Sequence, residues 1–328
     1  MLNKDLKLND KMFDENPESA PTRDGFGEAL LELGGKNPDV VVLTADLAES
    51  TRTESFAKKF PERFFEVGVA EQNMAAIAAG LGVSGKIAFI SSYAAFSPGK
   101  NWETIKTTIV YNNSNVKIAG HHAGIITGPD GVTHQATEDL SLMRCLPNLT
   151  IFVPCDAIEA KKVTIEAANI KGPVYLRFSR DKTPVITTKE TPFDKNKIQL
   201  FWVSENPKTV IFATGHMLFF ALLAAKKLEQ EGINVIVANL STIKPGDLNS
   251  IIDLSKKTGA VVSVEDHQIM GGMGSMVSEI LAKNAPTPME FIGLQDTFAQ
   301  SGPSKELLEK YKMDDKAIIE AVKKLLGK

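Results

Sequence analysis

Short runs of β-branched and apolar residues alternate with helix-like stretches along most of the chain, and this alternation constrains the fold more than any other feature. In the N-terminal part, runs such as VVVLTA, KIAFIS, VKIAGH and PVYLRF are separated by helical patterns such as AEQNMAAIAAGL and AIEAKKVTIEAAN. Strands that alternate with helices are typical of parallel sheets with helices on both faces. The sequence therefore predicts an α/β protein made of doubly wound sheets.

The alternation lapses once, in a stretch rich in Pro, Thr and Lys, and then restarts. The length of 328 residues fits two domains, each long enough to bury its own core. We therefore predict a polar N-terminal extension (1–19), a first domain (20–185), a linker that could pair a strand (186–206) and a smaller second domain (207–328). The last segment, KELLEKYKMDDKAIIEAVKKLLG, is predicted to be a single closing helix.

Composition excludes several classes of protein. Charged residues make up 23% of the chain and the net charge is -3, so no basic nucleic-acid surface is predicted. No apolar run approaches the roughly 18 residues that span a bilayer, and the N-terminus has no secretory apolar stretch. Cys145 and Cys155 lack the spacing of a metal site or a disulfide framework. We expect a cytoplasmic protein that binds no membrane, no nucleic acid and no metal of its own.

Polar and aromatic residues follow the predicted strands of the first domain. In open α/β sheets, ligands bind at the carboxyl ends of the strands. The residues found there, or just before the first helix, are Arg23, Asp46, Ser50, Glu71, Tyr93, Phe96, His122, Asp130, His134 and Arg180. Each alone has an ordinary explanation: Glu71 suits the first turn of a helix, and Asp130 suits the turn PDG. Their common placement favours a binding site.

A glycine-rich piece of the second domain, EDHQIMGGMGS, also precedes a predicted helix. Such a segment could hold a phosphate at the helix N-terminus. It lacks the spacing of a dinucleotide-binding motif, and no acidic residue stands about 20 positions further on. We therefore predict a structural role, as a tight turn with close packing or as a subunit contact.

The ordered motifs resemble a known family. GVAEQNMAAIAAGL, SSYAAF, DGVTHQATEDLSLMRCLPNLTIFVPCDAIEA and RFSRDKTP resemble the pyrimidine-binding domain of transketolases, and the second domain is similar to the transketolase C-terminal domain. The GDG motif with which complete transketolases hold the cofactor diphosphate through Mg²⁺ does not occur. The resemblance implies the C-terminal subunit of a two-chain transketolase. Such an enzyme moves a two-carbon ketol unit from a ketose phosphate to an aldose phosphate in the pentose phosphate pathway.

The resemblance also implies the roles of the residues that would bind thiamine diphosphate. Glu71 would hydrogen-bond the pyrimidine N1′ and favour the tautomer through which the cofactor's own amino group removes the thiazolium proton. Apolar surroundings would favour its proton-donating form. Tyr93 and Phe96 would line the pyrimidine pocket, and Asp46 and Leu47 would lie against the cofactor.

The remaining residues match substrate positions of the family. The positions that would bind the sugar phosphate group are Arg23, Ser50, His122 and Arg180. Asp130 and His134 would bind sugar hydroxyls near the cleaved bond, with His134 also catalytic. A separate N-terminal subunit would hold the diphosphate and Mg²⁺ in an α₂β₂ heterotetramer, and this chain alone would be inactive.

Three alternatives remain open. The β subunit of a 2-oxo-acid dehydrogenase shares the two-domain plan and the activating Glu but needs no phosphate-binding group far from the reacting carbon. A 1-deoxyxylulose-5-phosphate synthase shares the AEQ and HQ patterns but is normally one long chain. A non-catalytic module could bind a nucleotide through GGMGS, although it would have no use for Glu71 beside the phosphate-binding residues.

Overall fold

The computed structural model describes residues 1–328 and contains a seven-stranded sheet, a five-stranded sheet and a two-stranded ribbon. The larger sheet belongs mainly to the N-terminal half and the smaller one to the C-terminal half. Helices separate most of the strands. The predicted α/β class with two doubly wound sheets is confirmed.

The elements of the N-terminal half follow the predicted alternation closely. The strands are β1 (Ser19–Ala20), β2 (Val40–Thr44), β3 (Phe64–Glu66), β4 (Ile87–Tyr93), β5 (Val116–His121), β6 (Thr150–Phe152), β7 (Val174–Arg177) and β8 (Thr183–Pro184). The helices are α1 (Thr22–Lys36), α2 (Glu54–Lys59), α3 (Glu71–Val83), α4 (Trp102–Thr104), α5 (Asp139–Arg144) and α6 (Ala157–Asn169). Helix α4 continues with π-helical geometry over Ile105–Val110. Short 3₁₀ turns span Lys4–Leu6, Pro61–Arg63 and Ile125–Asp130.

The C-terminal half repeats the pattern on a smaller scale. Its strands are β9 (Gln199–Trp202), β10 (Thr209–Ala213), β11 (Val235–Asn239), β12 (Thr242–Lys244), β13 (Val261–Gln268) and β14 (Met289–Leu294). Its helices are α7 (Met217–Gln230), α8 (Leu248–Thr258), α9 (Met273–Asn284), α10 (Ser304–Lys310) and α11 (Asp315–Leu325). The strand order is β14-β13-β10-β11-β9, with only β9 antiparallel to its neighbour.

The register of the larger sheet places the ends of its central strands side by side. Strand β2 pairs in parallel with β3 and β4, β4 with β5, and β5 with β7. Because parallel strands point the same way, the loops that follow them emerge at one edge of the sheet. The loops that carry Asp46, Tyr93, His122 and Arg180 therefore lie next to one another.

Helix α3 packs closely because its inner face is made of small residues. Ala75, Ala78 and Gly82 are buried, and Glu71 is the first residue of the helix. A Cβ atom on Gly82 would lie 2.4 Å from Ser114 Oγ, so only glycine permits this approach. The small residues bring the start of α3, and with it Glu71, close to the sheet.

The prediction of a single closing helix is wrong. It is broken into α10 and α11 at Lys312, whose φ of 53° lies in the left-handed region. The Asp314 side chain then accepts a hydrogen bond from Ala317 N at 3.0 Å and caps the start of α11. The sequence KMDDKA contains this N-cap signal, which a continuous helical pattern conceals.

The two halves share a hydrophobic core. Strand β12, from the C-terminal half, pairs antiparallel with β6 and forms the edge of the larger sheet. One cluster of 35 buried residues includes Ile151 and Tyr175 from the first half and Phe212 and Ile236 from the second. The halves are therefore packed as one body.

The N-terminal segment is folded onto both halves. Asn3 N donates to Phe201 O at 2.9 Å, which sets the segment against β9. Leu6 and Met12 are buried in the core of the C-terminal half. Farther on, β1 pairs antiparallel with β8. The predicted linker 186–206 contains β9, so it contributes to the smaller sheet. None of the helices is long and apolar enough to cross a membrane.

Candidate active site

A buried carboxylate lies at the start of α3. Glu71 is 2% exposed, and Lys100 Nζ donates to its Oε2 at 3.1 Å. Its Oε1 has no hydrogen-bond partner in the chain, whereas its backbone carbonyl accepts from Asn101 Nδ2 at 2.9 Å. The site thus holds a carboxylate with one free oxygen.

Lys100 is a neighbour that sequence reasoning missed. It lies in the turn after β4, and its side chain is half-exposed while that of Glu71 is buried. Its backbone N–H, like that of Asn101, donates to Phe96 O, so the turn that carries the aromatic residues also positions the ammonium group. The apolar surroundings expected for Glu71 therefore include a cation. The sequence SPGKNW gives no signal that this lysine would point at Glu71.

Four rings gather beside this turn. The centroids of Tyr93 and Phe96 are 5.9 Å apart with the rings nearly parallel, and the Phe96 and His134 rings are 5.4 Å apart, edge to face. Tyr93 also contacts His122, with centroids 3.9 Å apart. These four predicted residues are brought together by the structure as a wall of rings, in which His122 is buried and the other three are partly buried.

Cationic side chains lie next to these rings. Arg23 lies in the first turn of α1, and its Nη1 donates to Ser50 O at 2.9 Å and lies 3.3 Å from His122 Nε2. Arg180 Nε lies 3.6 Å from Asp130 Oδ2. Burial, and then the charge of Arg52, lower the pKa of Arg23, with Arg180 acting in the same direction. An anion bound here would relieve the mutual repulsion of the three guanidinium groups.

His122 is held neutral. Burial, and then the charges of Arg23 and Arg180, lower its pKa to about 3. Since Arg23 can only donate, His122 Nε2 accepts, and the proton of the neutral ring is on Nδ1. His122 Nδ1 is buried and has no partner in the chain. The ring therefore keeps a buried hydrogen-bond donor that the chain does not use.

Three predicted site residues contact the rest of the chain mainly through their backbone groups. The Asp46 backbone N–H donates to Glu66 Oε1 at 2.8 Å, but its exposed carboxylate makes no hydrogen bond in the chain. Leu47 is half-buried and meets the rest of the chain through its carbonyl, which accepts from Thr51. Ser50 reaches the cationic cluster through its carbonyl rather than its hydroxyl.

The glycine-rich piece of the second domain has no vacant anion site. Glu265 accepts from Met273 N at 2.7 Å and from Gly274 N at 2.8 Å, so the chain's own carboxylate occupies the N-terminus of α9. A Cβ atom on Gly272 would lie 2.2 Å from Glu265 Oε2. The glycines allow this close packing, which is the structural role predicted for them.

Family comparisons agree with this arrangement. Residues 18–185 match the pyrimidine-binding domain of transketolases, and residues 201–318 match the transketolase C-terminal domain. The chain belongs to the transketolase family. The resemblance predicted from the motifs is confirmed, and membership implies a transferase that uses thiamine diphosphate.

Several relatives of this transketolase are separate chains of similar length. A transketolase C-terminal section from Methanocaldococcus jannaschii is 44% identical over 92% of this chain and 94% of its own. A 6-deoxy-6-sulfo-D-fructose transketolase subunit from a Clostridium species is 35% identical over 94% of this chain and 95% of its own. A solved split-gene transketolase, described as an inactive β4 tetramer, is 43% identical with a TM-score of 0.86, covering 94% of this chain and 98% of that one.

The residues present fit the pyrimidine end of the cofactor. Glu71 provides a carboxyl oxygen free of other partners, and the stacked pair Tyr93 and Phe96 provides aromatic faces beside it. No group of three or more His, Cys, Asp or Glu side chains in the chain could hold a metal ion.

Proposed function

We propose that this chain is the C-terminal subunit of a transketolase that is active only with a separate N-terminal subunit. The observation that carries the proposal is the buried Glu71 carboxylate at the start of α3, beside a wall of rings and next to a cluster of cations. This combination supplies a cofactor-activating acid and an anion-binding end at the same edge of the larger sheet.

Glu71 acts on the cofactor through a proton. Thiamine diphosphate, when bound, supplies a carbon nucleophile at its thiazolium ring. Glu71 holds a proton at the pyrimidine N1′, and this hydrogen bond favours the tautomer in which the amino group can act as a base. Lys100 must leave Oε2 or share Glu71 with the pyrimidine, while Phe96 and Tyr93 keep water from the ring.

The cationic cluster binds the phosphate of the sugar. Arg23 and Arg180 supply charge, and His122 supplies its free Nδ1 donor. Charge-assisted hydrogen bonds from guanidinium groups to phosphate are among the strongest available to a protein. A phosphate-binding group of this kind favours a sugar phosphate over a 2-oxo acid, which has no distal anion.

Asp130, which pairs with Arg180, and His134, which packs edge to face on Phe96, bind hydroxyl groups of the sugar. His134 Nδ1 is paired with Thr133 Oγ1 at 2.8 Å, which leaves Nε2 for the substrate. This nitrogen can hold or move a proton at the hydroxyl next to the reacting carbon. His134 is the second catalytic residue of the proposal.

The partner subunit holds the cofactor diphosphate and Mg²⁺, in an α₂β₂ assembly. Apolar side chains are exposed before and along α3: Val69, at 70%, lies two residues before Glu71, and Val83, at 66%, lies at the far end of the helix. Exposed apolar residues around a functional site are typical of a protein interface. The split-gene relative described as inactive consists of β chains alone, which supports the need for a partner.

The decisive experiment is an assay of ketol transfer from xylulose 5-phosphate to an aldose phosphate. We expect activity when this chain is combined with its N-terminal subunit and thiamine diphosphate, and none from this chain alone. Activity of the purified chain by itself would overturn the proposal. Preference for pyruvate would instead favour the dehydrogenase or synthase alternatives.

A second arm of the assay tests the nature of the anion. Since one relative is a 6-deoxy-6-sulfo-D-fructose transketolase subunit, the sulfonated ketose is offered alongside the phosphorylated one. The proposed pentose phosphate pathway role requires the higher kcat/KM for the phosphate ester. The opposite preference would assign the cationic cluster to a sulfonate.

A further inference from the structure

A carboxylate from the second domain holds the loop that carries the proposed substrate residues. This substrate loop, defined as residues 122–135, contains His122, Asp130 and His134. Asp266, in β13, is 1% exposed, and it accepts from Ile125 N at 2.9 Å and from Ile126 N at 3.4 Å. Each carboxylate oxygen therefore binds one backbone N–H of the loop.

The approach is so close that a side chain on the loop would block it. Gly124 has a φ of 85°, in the left-handed region that favours glycine. A Cβ atom at this position would lie 2.0 Å from Asp266 Oδ2. The loop backbone thus lies directly against the carboxylate, with no room for an intervening group.

Asp266 is itself fixed by the first domain. Its backbone carbonyl accepts from Arg177 Nη2 at 2.8 Å. Arg177 in turn donates from Nε to Asp139 Oδ2 at 2.8 Å, and Asp139 also accepts from Tyr175 Oη at 2.6 Å. All of these groups are buried, so the contact between the domains is held from both sides.

The second domain also meets the substrate loop farther along. Gln135 Nε2 donates to Gln300 O at 3.1 Å, and Gly302 N donates to Gly128 O at 3.4 Å. These bonds lie on either side of Asp130. The loop is therefore attached to the second domain along its length, with the charged contact at Asp266.

We infer that Asp266 is a positioning residue, and that the second domain takes part in substrate binding by fixing the backbone of the substrate loop. The inference rests on the proposed function and adds to it. Asp266 contacts backbone N–H groups of the loop, and its effect on substrate passes through His122, Asp130 and His134.

The test compares Asp266→Asn with Glu265→Gln. The two wild-type residues are adjacent, both 1% exposed, and each accepts two backbone N–H bonds. The donors to Glu265 are in α9, far along the chain from the substrate loop. Each substitution replaces one buried carboxyl group with an amide of similar shape, so a difference between the variants at the amides of Ile125 and Ile126 reports on the loop.

The first measurement is hydrogen exchange of the isolated chain. Asp266→Asn should speed exchange of the amides of Ile125 and Ile126 by about tenfold, because a hydrogen bond to a charged group is weakened. Glu265→Gln should leave these amides protected and affect those of Met273 and Gly274. Equal protection of the loop in both variants would overturn the inference.

The second measurement is made on the enzyme reconstituted with its partner subunit. Asp266→Asn should lower kcat/KM for the phosphorylated sugar by about ten- to a hundredfold, since small misplacement of binding groups is costly. Thiamine diphosphate affinity should not change, because Glu71, Tyr93 and Phe96 lie outside the substrate loop. A similar loss in Glu265→Gln, or a loss confined to cofactor affinity, would contradict the inference.

A second variant covers the case in which Asp266→Asn does not fold. Gly124→Ala leaves Asp266 intact and displaces the loop backbone, and it should give the same faster exchange and the same loss of kcat/KM. If the wild-type enzyme shows no ketol transfer, the proposed function fails, yet the exchange measurement still decides whether Asp266 holds the loop.

Discussion

The two sheets of the molecule both place carboxylates where parallel strands end, and the surroundings of these carboxylates differ. In the second domain, Glu265 and Asp266 each accept two hydrogen bonds from backbone N–H groups. In the first domain, Glu71 contacts one half-exposed lysine and keeps an oxygen free. Backbone partners cannot move aside, whereas a lysine side chain can. The comparison separates a carboxylate that builds the fold from one that is available to a ligand.

The largest expected effect is on kcat, and it is tested by replacing one glutamate with glutamine in each domain separately. Glu71→Gln should lower kcat of the reconstituted enzyme by about 10²- to 10⁴-fold, because the proton-holding acid is lost. Glu265→Gln, in the second domain, should lower stability and leave the kcat of the folded enzyme near that of wild type. Steady-state rates at saturating cofactor measure the difference. Equal rates for the two variants would remove the catalytic assignment of Glu71.

The next largest expected effect is on KM, and it is tested by removing one cationic side chain from each domain separately. Arg180→Met should raise KM for the phosphorylated sugar by about ten- to a hundredfold, since one charge-assisted hydrogen bond to phosphate is lost. An unphosphorylated sugar of the same length should show little change. Lys283→Met, which removes an exposed cation from the second domain, is the matched control. A KM increase that is independent of the phosphate would contradict the assignment.

Each domain contains a buried histidine that should make the free energy of unfolding depend on pH. Burial and nearby arginines lower the pKa of His122 to about 3, while burial lowers that of His216 against the opposing charge of Asp266. Below pH 6.5 the unfolded chain takes up a proton that the folded chain does not, so stability is lost as pH falls. Each fully neutral histidine contributes a slope of about 1.4 kcal/mol per pH unit.

The measurement is the free energy of unfolding between pH 7 and pH 5. His122→Asn should reduce the slope of the free energy of unfolding against pH by the equivalent of close to one proton. Asn is suitable here because it tolerates the φ of 55° at this position. His216→Asn should flatten it less, because Asp266 favours the protonated form of His216. A larger change for His216 would mean that the second domain holds the more strongly neutral histidine.

The smallest effect tests the ion pair at Glu71. Lys100→Met should lower the free energy of unfolding of the isolated chain by about 1 kcal/mol, since the lysine is half-exposed and screened by water. The loss should vanish when Glu71→Gln is added. Lys86→Met, which breaks a pair with the exposed Asp39 at 2.8 Å, should cost less. An equal loss in both single variants would show that burial of Glu71 adds nothing to the pair.

Much of the fold could be predicted from the sequence because the alternation of strands and helices is strong and local. The strands that end at Tyr93 and just before His122 lie where the β-branched runs place them, and parallel pairing brings the loops together. The break at Lys312 was missed because an N-cap signal lay inside a continuous helical pattern. Strand β12 was missed because it pairs with a strand from the other half of the chain.

The site was predictable to the extent that its residues follow strands. Lys100 and Asp266 could not be found in this way, because their roles depend on contacts between distant segments. For Asp266 the partner is 141 positions away in sequence. The position of a residue at the end of a strand indicates that it lies near the site. It does not show whether its polar groups already have hydrogen-bond partners within the chain.

The position of β12 limits how the two halves can be exchanged between relatives. A chimera joined within 186–206 would bring a foreign Thr242–Lys244 against the native Thr150–Phe152. A mismatch there would leave β6 as an unpaired edge, open to association with other chains. Designers who swap second domains to alter specificity should therefore transplant the matching surface of β6 together with the incoming domain.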